Sequence, residues 1–584
     1  MNVNVNVRQG RARAAFVALA LHAALTSFGG EITDRFVYTG CDLCNSQKMA
    51  GLRELARKAA ASGYTGLVVQ GDIQYAFRFG ERQRDELREL KRVCDEVGIE
   101  IVPAVWSIGY AAMLEVDPNL AEGVPCRDIP YAVAEDGRRA VYEPEPEDGS
   151  QFDGGIERAK DLGNGRFALP GFGFTEKPGV ISFVDREVKR SGAASLRFEC
   201  APTDPEHPLA RARIELKVKP YTRYQVGMWW KTEGMDRTWG LQATYYTVPK
   251  KGEANGRAQQ LTFTNPRIAE TADWTYMTSE LSSLAYDRIQ LWFGSWKSRQ
   301  GRFWIDDITV RVAGLDDVLR REGCPFEVKG AASGVVYEEG RDYAPVPPMG
   351  KAQRALPREN GSIVLALPAG SLIRPGERLQ VSCYRRHRMK GNSQVNVCMS
   401  APRLYELVDE SAKCLAEIVR PKKWFLPQDE IRVGGSCALC ADPRRSMADL
   451  FANCVGRMHA TIRRYTPGAK IYMWGDQIDP NMNGKVVPMM CKGSFAGSVD
   501  RIPKDIVVMH WGGRVPETLE YFREKGFETA RSISGLDGQW DAKKAETARR
   551  NISAAKGDPN CHAVMFTTWT GDYSNLPRLA EFCK

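Results

Sequence analysis

Apolar and polar positions follow two different rhythms along this chain. Near its start, RFVYTG (Arg35 to Gly40) is a short apolar run, and QKMAGLRELARKAAASG repeats Met49, Leu52, Leu55 and Ala56 near helical spacing. YTGLVVQGD (Tyr64 to Asp72) is a second apolar run, and a charged, helix-like stretch, ERQRDELRELKRVCDEVG, leads into a third, IEIVPAVW. Nearly continuous apolar strands joined by amphipathic helices predict parallel strands buried on both faces.

The rhythm then changes to period two. From about Asp148 to Ala313 helical spacing disappears and ARIELKVK, YQVGMWWK, DRIQLWFG and RFWIDDITVRV alternate, which predicts an all-β module. Seven of the thirteen tryptophans lie between Trp229 and Trp304, and alternation places some of them outside a core. A segment punctuated by Pro and Gly follows, including APVPPMG and IRPGERLQVSCY, and reads as a small β-rich linking segment.

Strand and helix patterns resume at PRLYELVDESAKCLAEIV, and the strand that follows it ends at Asp429-Glu430. A helix over Ser446 to Tyr465 and the strands AKIYMWGD, DIVVMHWG, ETARSIS and HAVMFTTWT complete the chain. Three early and five late strands make eight. The fold class is therefore α/β: a (β/α)8 TIM barrel interrupted after its third strand by an all-β jelly-roll module and the small β-rich segment. The expected divisions are a signal peptide over 1–30, barrel over 31–147, jelly roll over 148–313, linking segment over 314–400 and barrel over 401–584.

Composition changes this picture at a few points. Arg8, Arg11 and Arg13 precede an apolar run from Ala14 to Phe28, the pattern of a secretory signal and too short to span a bilayer. An extracytoplasmic location is expected, with no membrane association beyond export. Removing those arginines takes the formal net charge from +9 to +6, spread over a long chain, which does not make a nucleic-acid binder. The one dense basic cluster, Arg385, Arg386, His387, Arg388 and Lys390, reads as a solvated loop.

Fifteen cysteines include two closely spaced pairs, Cys41 with Cys44 and Cys437 with Cys440. Four thiolates would suit structural zinc, but nearly the whole barrel sequence separates the pairs, so disulfides or lone buried thiols are expected and no metal or cofactor at the site.

Candidate chemistry comes from the strand ends. Asp-Glu occurs four times; Asp85-Glu86, Asp95-Glu96 and Asp409-Glu410 sit in charged helical text, whereas Asp429-Glu430 follows an apolar strand and precedes a loop rich in Gly and Cys. Barrel enzymes keep their sites at such strand ends. Asp72 ends the second strand, Trp474 and Asp476 the fifth, His510 and Trp511 the sixth, and Trp569 and Asp572 the eighth. Carboxylates ringed by indoles suit a saccharide: acids to cleave the glycosidic bond, rings to stack on the sugar. Two adjacent acids can share a pocket only where the strand gives way to a loop, which RVGG supplies.

The pattern resembles glycoside hydrolase family 20, the β-N-acetylhexosaminidases, and bacterial proteins similar to that family. SGYTGLVVQGD, GIEIVPAVWSIGY (which ends at Tyr110) and KKWFLPQDEIR carry the resemblance, which covers about half the chain. It implies an exo-acting, retaining enzyme on an oligosaccharide or polysaccharide, with Asp429 orienting the substrate's acetamido group and Glu430 as general acid. Asp72, Tyr110, Trp474, Asp476, His510, Trp511 and Trp569 would bind substrate. FLPQ stands where the family has His-x-Gly-Gly, and FVYTG lacks the family's first-strand arginine, which bears on the sugar's identity. The all-β region resembles the jelly-roll carbohydrate-binding modules of polysaccharide-degrading enzymes. To stay protonated Glu430 needs partial burial against apolar groups or a neighbouring negative charge, and Asp429 is expected to supply the latter. The alternatives are a retaining or inverting glycosidase on a glycan without the acetamide, an anionic glycan included, with Asp476 or Asp479 as nucleophile or base, and a glycan-binding protein without catalysis.

Overall fold

The computed structural model describes residues 31–144, 151–200, 208–248, 258–389 and 394–583. The expected signal peptide at 1–30, the boundary expected at 147 and Lys390 of the basic cluster lie outside these residues.

Eight parallel strands form one sheet: β1 Asp34–Cys41, β2 Gly66–Gly71, β3 Glu100–Pro103, β4 Lys423–Leu426, β5 Lys470–Trp474, β6 Ile506–His510, β7 Thr529–Ile533 and β8 Cys561–Thr567. Their order runs from β4 through β8 to β1, β2 and β3, and a parallel bridge between Ala104 and Phe425 joins the two ends. The sheet is thus nearly closed into a barrel. Its alternation is visible in the packing: Phe36, Tyr38, Val68, Val102, Phe425, Tyr472, Trp474, Val507 and Met509 form one inner cluster. Their chain neighbours Val37, Leu67, Val69, Ile101, Ile471, Met473 and Val508 belong to the larger core shared with the helices.

Helices α1 Ser46–Ala61, α2 Glu81–Val97, α3 Pro402–Ile418, α4 Met447–Tyr465, α5 Val515–Glu524, α6 Ala542–Lys556 and α7 Leu576–Cys583 complete this part. Their buried faces follow the apolar spacing, as with Leu87, Leu90, Val93 and Cys94 of α2. A capping box, Ser446 with Asp449, starts α4. Between β5 and β6 the chain makes a two-residue strand, Met490–Cys491, and a three-residue 3-10 turn, Ser498–Asp500, in place of a crossover helix. At the amino-terminal end, Lys423 pairs with Asp34 and Glu100 at 3.0 and 2.8 Å, and Tyr472 donates to Asp34, so charge closes the end away from the site.

The all-β module is a sandwich. One sheet orders strands Ala272–Ser282, Arg223–Glu233, Arg302–Val312, Ser195–Glu199 and Ser182–Asp185; the other orders Gln260–Thr264, Leu241–Thr247, Arg288–Ser295, Ala210–Lys217 and Phe172–Thr175. Phe198, Trp230 and Phe303 from the first sheet share one core with Tyr245, Leu291 and Phe293 from the second. Trp304 is buried, whereas Trp229 and Trp292 lie outside this core beneath arginines, Arg190 over one and Arg211 and Arg213 over the other.

A six-stranded sheet is built from segments on both sides of the sandwich in sequence, and it corrects two readings of the sequence. Its longest strands, Gly123–Val133 and Arg378–Arg386, pair antiparallel, with Arg139–Tyr142 beside the first. Residues 123–142, read as barrel, thus belong with the segment that follows the sandwich, because their alternating apolar positions (Ile129, Tyr131, Val133) fill its core. The basic cluster is not a solvated loop. Arg385 is buried and pairs with Asp316 at 2.5 Å and Glu280 at 3.3 Å, and Arg223 of the sandwich bonds the same two acids. Arg386 and Arg388 both pair with Asp317, and burial pushes His387 down to about 4. None of the fifteen cysteines forms a disulfide. Among the described residues no helix is long and apolar enough to cross a membrane.

Candidate active site

Strand β4 stops at Leu426, and Pro427 to Glu430 continue as irregular chain. Glu430 has a left-handed backbone, φ 48°, a conformation unfavourable for a residue with a β-carbon and found where surrounding structure enforces it. That turn abolishes strand alternation, so Asp429 and Glu430 both face one cavity of about 1130 Å³ at the carboxyl-terminal end of the barrel.

The loop after β3 is fastened against this turn. Gln428, fully buried, donates to the Trp106 carbonyl at 2.8 Å and accepts from the Ile108 amide at 3.3 Å. Gln394 donates to the carbonyls of Gly109 and Glu430 at 3.0 and 2.9 Å. A β-carbon on Gly109 would lie 2.1 Å from the Asp429 carbonyl oxygen, so only glycine permits this approach. The clamp delivers Tyr110, whose hydroxyl donates to Glu430 Oε2.

Glu430 Oε1 lies 2.8 Å from Arg432 Nη2. With Tyr110 on the other oxygen, each Glu430 carboxylate oxygen faces a donor. The proton sits more readily next door. Burial first, then the Asp476 and Glu430 carboxylates, push the Asp429 carboxyl well above its usual range. Arg432 sets a positive charge beside Glu430, which works against the expectation that Asp429 keeps Glu430 protonated.

Asp476 is fully buried and stands behind the wall. Its Oδ2 accepts from the Glu430 amide at 3.2 Å, from Asn483 at 2.8 Å and from Gln477 at 3.0 Å, while burial holds its carboxyl up at about 6. Asp479 is equally buried, accepting from Thr518 at 2.7 Å. His510 is buried beside it, and burial together with Arg531 pushes its imidazole down to about 3, so it is neutral in ordinary buffers. None of the three lines the cavity. Asp476 and His510, expected to bind substrate, thus stand behind the lining residues.

The other expected residues do line it. Trp474 and Tyr38 form an apolar floor, their ring centroids 6.1 Å apart, with Trp569 5.9 Å from Tyr38. Trp569, Trp511 and Tyr110 remain 70%, 37% and 41% exposed at the rim. Asp72 faces the cavity and also accepts from the Leu43 amide at 2.9 Å, fixing the loop after β1. Asp572 caps the Gly538 and Ser574 amides and is absent from the lining.

No family model matches the chain, and no curated protein does. Solved structures with local likeness include a Family 16 Carbohydrate Binding Module, 18% identical, covering 28% of this chain and 98% of that one, with a TM-score of 0.18. The CBM22-1 xylan-binding domain of Xyn10C from Paenibacillus barcinonensis is 15% identical over 27% of this chain and 90% of that one, TM-score 0.19. A GH20 exo-β-N-acetylglucosaminidase from Vibrio harveyi, in complex with N-acetylglucosamine, is 12% identical over 34% of each chain, TM-score 0.25.

Arg432, Gln394, Gln428 and Gly109 escaped the sequence reading. Arg432 was legible in principle, since it lies two residues from the pair in QDEIR. Gln394 was not, because it reaches the site from the far end of the inserted modules.

Proposed function

We propose that the protein is a glycoside hydrolase whose carboxyl-terminal barrel cavity, a TIM-barrel site, binds a sugar and cleaves its glycosidic bond with Asp429 and Glu430. One observation carries this reading: two adjacent acids with opposite electrostatic settings face a cavity whose floor and rim are aromatic. Aromatic faces stack on the apolar face of a pyranose, and the exposure of Trp569 leaves its ring available for that. A raised acid beside a stabilised carboxylate is what protonating a leaving oxygen and countering positive charge at the anomeric carbon require.

The substrate we favour carries a 2-acetamido group, whose carbonyl attacks the anomeric carbon in a retaining, exo-acting reaction. The resemblance drawn from the sequence makes Glu430 the acid and Asp429 the orienting residue. The ion pair with Arg432 favours the reverse: Asp429 donates the proton and Glu430 accepts the acetamide N–H. Asp476 and Asp479, walled off, are poor candidates for a separate nucleophile. The domain divisions, with residues 123–142 moved from the barrel to the six-stranded sheet, export from a bacterial cytoplasm and polysaccharide binding by the sandwich belong to the same proposal; on the sandwich, Trp239 is 58% exposed. A panel of chromogenic aryl glycosides with and without the N-acetyl group tests it: turnover of the acetamido members supports the reading, turnover only of 2-hydroxyl members rejects substrate assistance, and none at all leaves a binding protein.

A further inference from the structure

Where the barrel meets the six-stranded sheet, four buried side chains from three chain segments converge. Glu122 immediately precedes strand Gly123–Val133, Cys398 lies just before α3, and Cys437 and Cys440 occupy the turn that follows the acid pair. All three sulfurs are fully buried, and Glu122 is 2% exposed. Cys398 Sγ lies 3.5 Å from Cys437 Sγ and 3.6 Å from Cys440 Sγ, and Cys440 Sγ lies 3.9 Å from Glu122 Oε2. Four metal-ligating atoms thus fall within 4.8 Å of one another.

These separations exclude disulfides and match something else. Sulfurs at about 2.3 Å around a tetrahedral zinc are roughly 3.8 Å apart, and sulfur to carboxylate oxygen is slightly less. The Cys-x-x-Cys turn has the geometry of such a ligand pair: the amides of Cys440 and Ala441 both donate to the Cys437 carbonyl at 2.9 Å. Glu122 is already oriented. Its Oε1 accepts from the Ser436 and Cys437 amides at 2.7 and 3.0 Å, which leaves Oε2 turned toward the sulfurs.

Charge makes the same case. Three thiolates and a carboxylate around a divalent ion carry two net negative charges, costly to bury without partners. Two cations stand against the cluster. Arg321 is fixed by donating to the carbonyls of Asn119 at 2.8 Å and Ala121 at 3.0 Å, and it reaches Cys437. Lys492 donates to the Cys440 carbonyl.

We propose that Glu122, Cys398, Cys437 and Cys440 bind one structural zinc ion. The site differs from the four-thiolate arrangement conceivable from the sequence, because Cys44 sits instead with Asp42 and Asp72, and the Cys41 sulfur accepts from the Ile73 amide. With four protein ligands and no open position it is structural, not catalytic. It ties the first residues of the inserted sheet to the loop leaving Glu430, and it is independent of the proposed glycosidase reading.

The test is elemental analysis of the untagged full-length protein after dialysis. We expect about one zinc per chain, retained in Cys491→Ser, a buried thiol nearby, and lost in Cys437→Ser and Cys440→Ser. X-ray absorption of the wild type covers the case in which those variants fail to fold: three sulfurs near ~2.3 Å and one oxygen near ~2.0–2.2 Å are expected. Substoichiometric zinc, a ligand shell containing histidine nitrogen, or a disulfide among the three cysteines found by peptide mapping would each overturn the assignment.

Discussion

The Arg432 guanidinium lies 2.8 Å from the Glu430 carboxylate, two residues along the same loop. The contact fixes the Glu430 side chain and supplies its countercharge. Arg432→Met should therefore lower kcat/KM on the order of 10²-fold, the usual cost of a misplaced catalytic group, with little change in melting temperature. Steady-state kinetics beside a thermal melt checks this; an unaltered kcat/KM would mean that the pair is not part of the reaction.

Activity should fall as pH rises. The proposed acid, Asp429, works only while protonated, and its raised carboxyl keeps the proton to higher pH than an ordinary aspartate before losing it. The alkaline limb of the kcat profile should thus lie above the ordinary aspartate range and vanish in Asp429→Asn. An alkaline limb that survives in that variant would assign it to another group.

Gly109 touches no substrate in this account, yet its replacement should matter. Alanine there places a β-carbon 2.1 Å from the Asp429 carbonyl oxygen and must displace the acid pair or the Tyr110 loop. Gly109→Ala should reduce turnover roughly 10²-fold while the protein remains folded by circular dichroism. Wild-type turnover in this variant would show that the loop yields without moving the pair.

A stability prediction comes from the buried ion pairs between sandwich and six-stranded sheet. Burial would raise the Glu280 carboxyl, but Arg385 and Arg223 outweigh it and hold the group well below the usual range. A depressed acid contributes stability above its unfolded pKa and loses it as pH falls toward the folded one. Glu280→Gln should therefore lower the melting temperature at neutral pH and bring it closer to wild type in acid. Equal losses at both pH values would show that the charge on Glu280 does not stabilise the fold.

Much of this organisation was legible because strand and helix patterns are local. The eight barrel strands follow from apolar runs such as YTGLVVQGD and HAVMFTTWT, and the sandwich from period-two alternation. Asp429 and Glu430 stood out because their strand ends at a turn. What escaped was set by pairing across the inserted modules. Residues 123–142 look like barrel until their partner, 378–386, is known; Arg385 looks like a surface cation until Glu280 and Asp316 enclose it. Asp476 and His510 stood correctly at strand ends, but the long chain between β5 and β6 covers them, and strand periodicity carries no record of what covers its ends.

The most direct test compares Asp429→Asn and Glu430→Gln on aryl 2-acetamido-β-glycosides with good and poor leaving groups. If Asp429 supplies the proton, Asp429→Asn should lose on the order of 10² to 10⁴ in kcat on poor leaving groups and far less on good ones, which need little protonation. Glu430→Gln should lose comparable rate on both, because the orienting carboxylate serves every substrate. The opposite pattern would return the acid role to Glu430, and wild-type rates in both variants would contradict a glycosidase built on this pair.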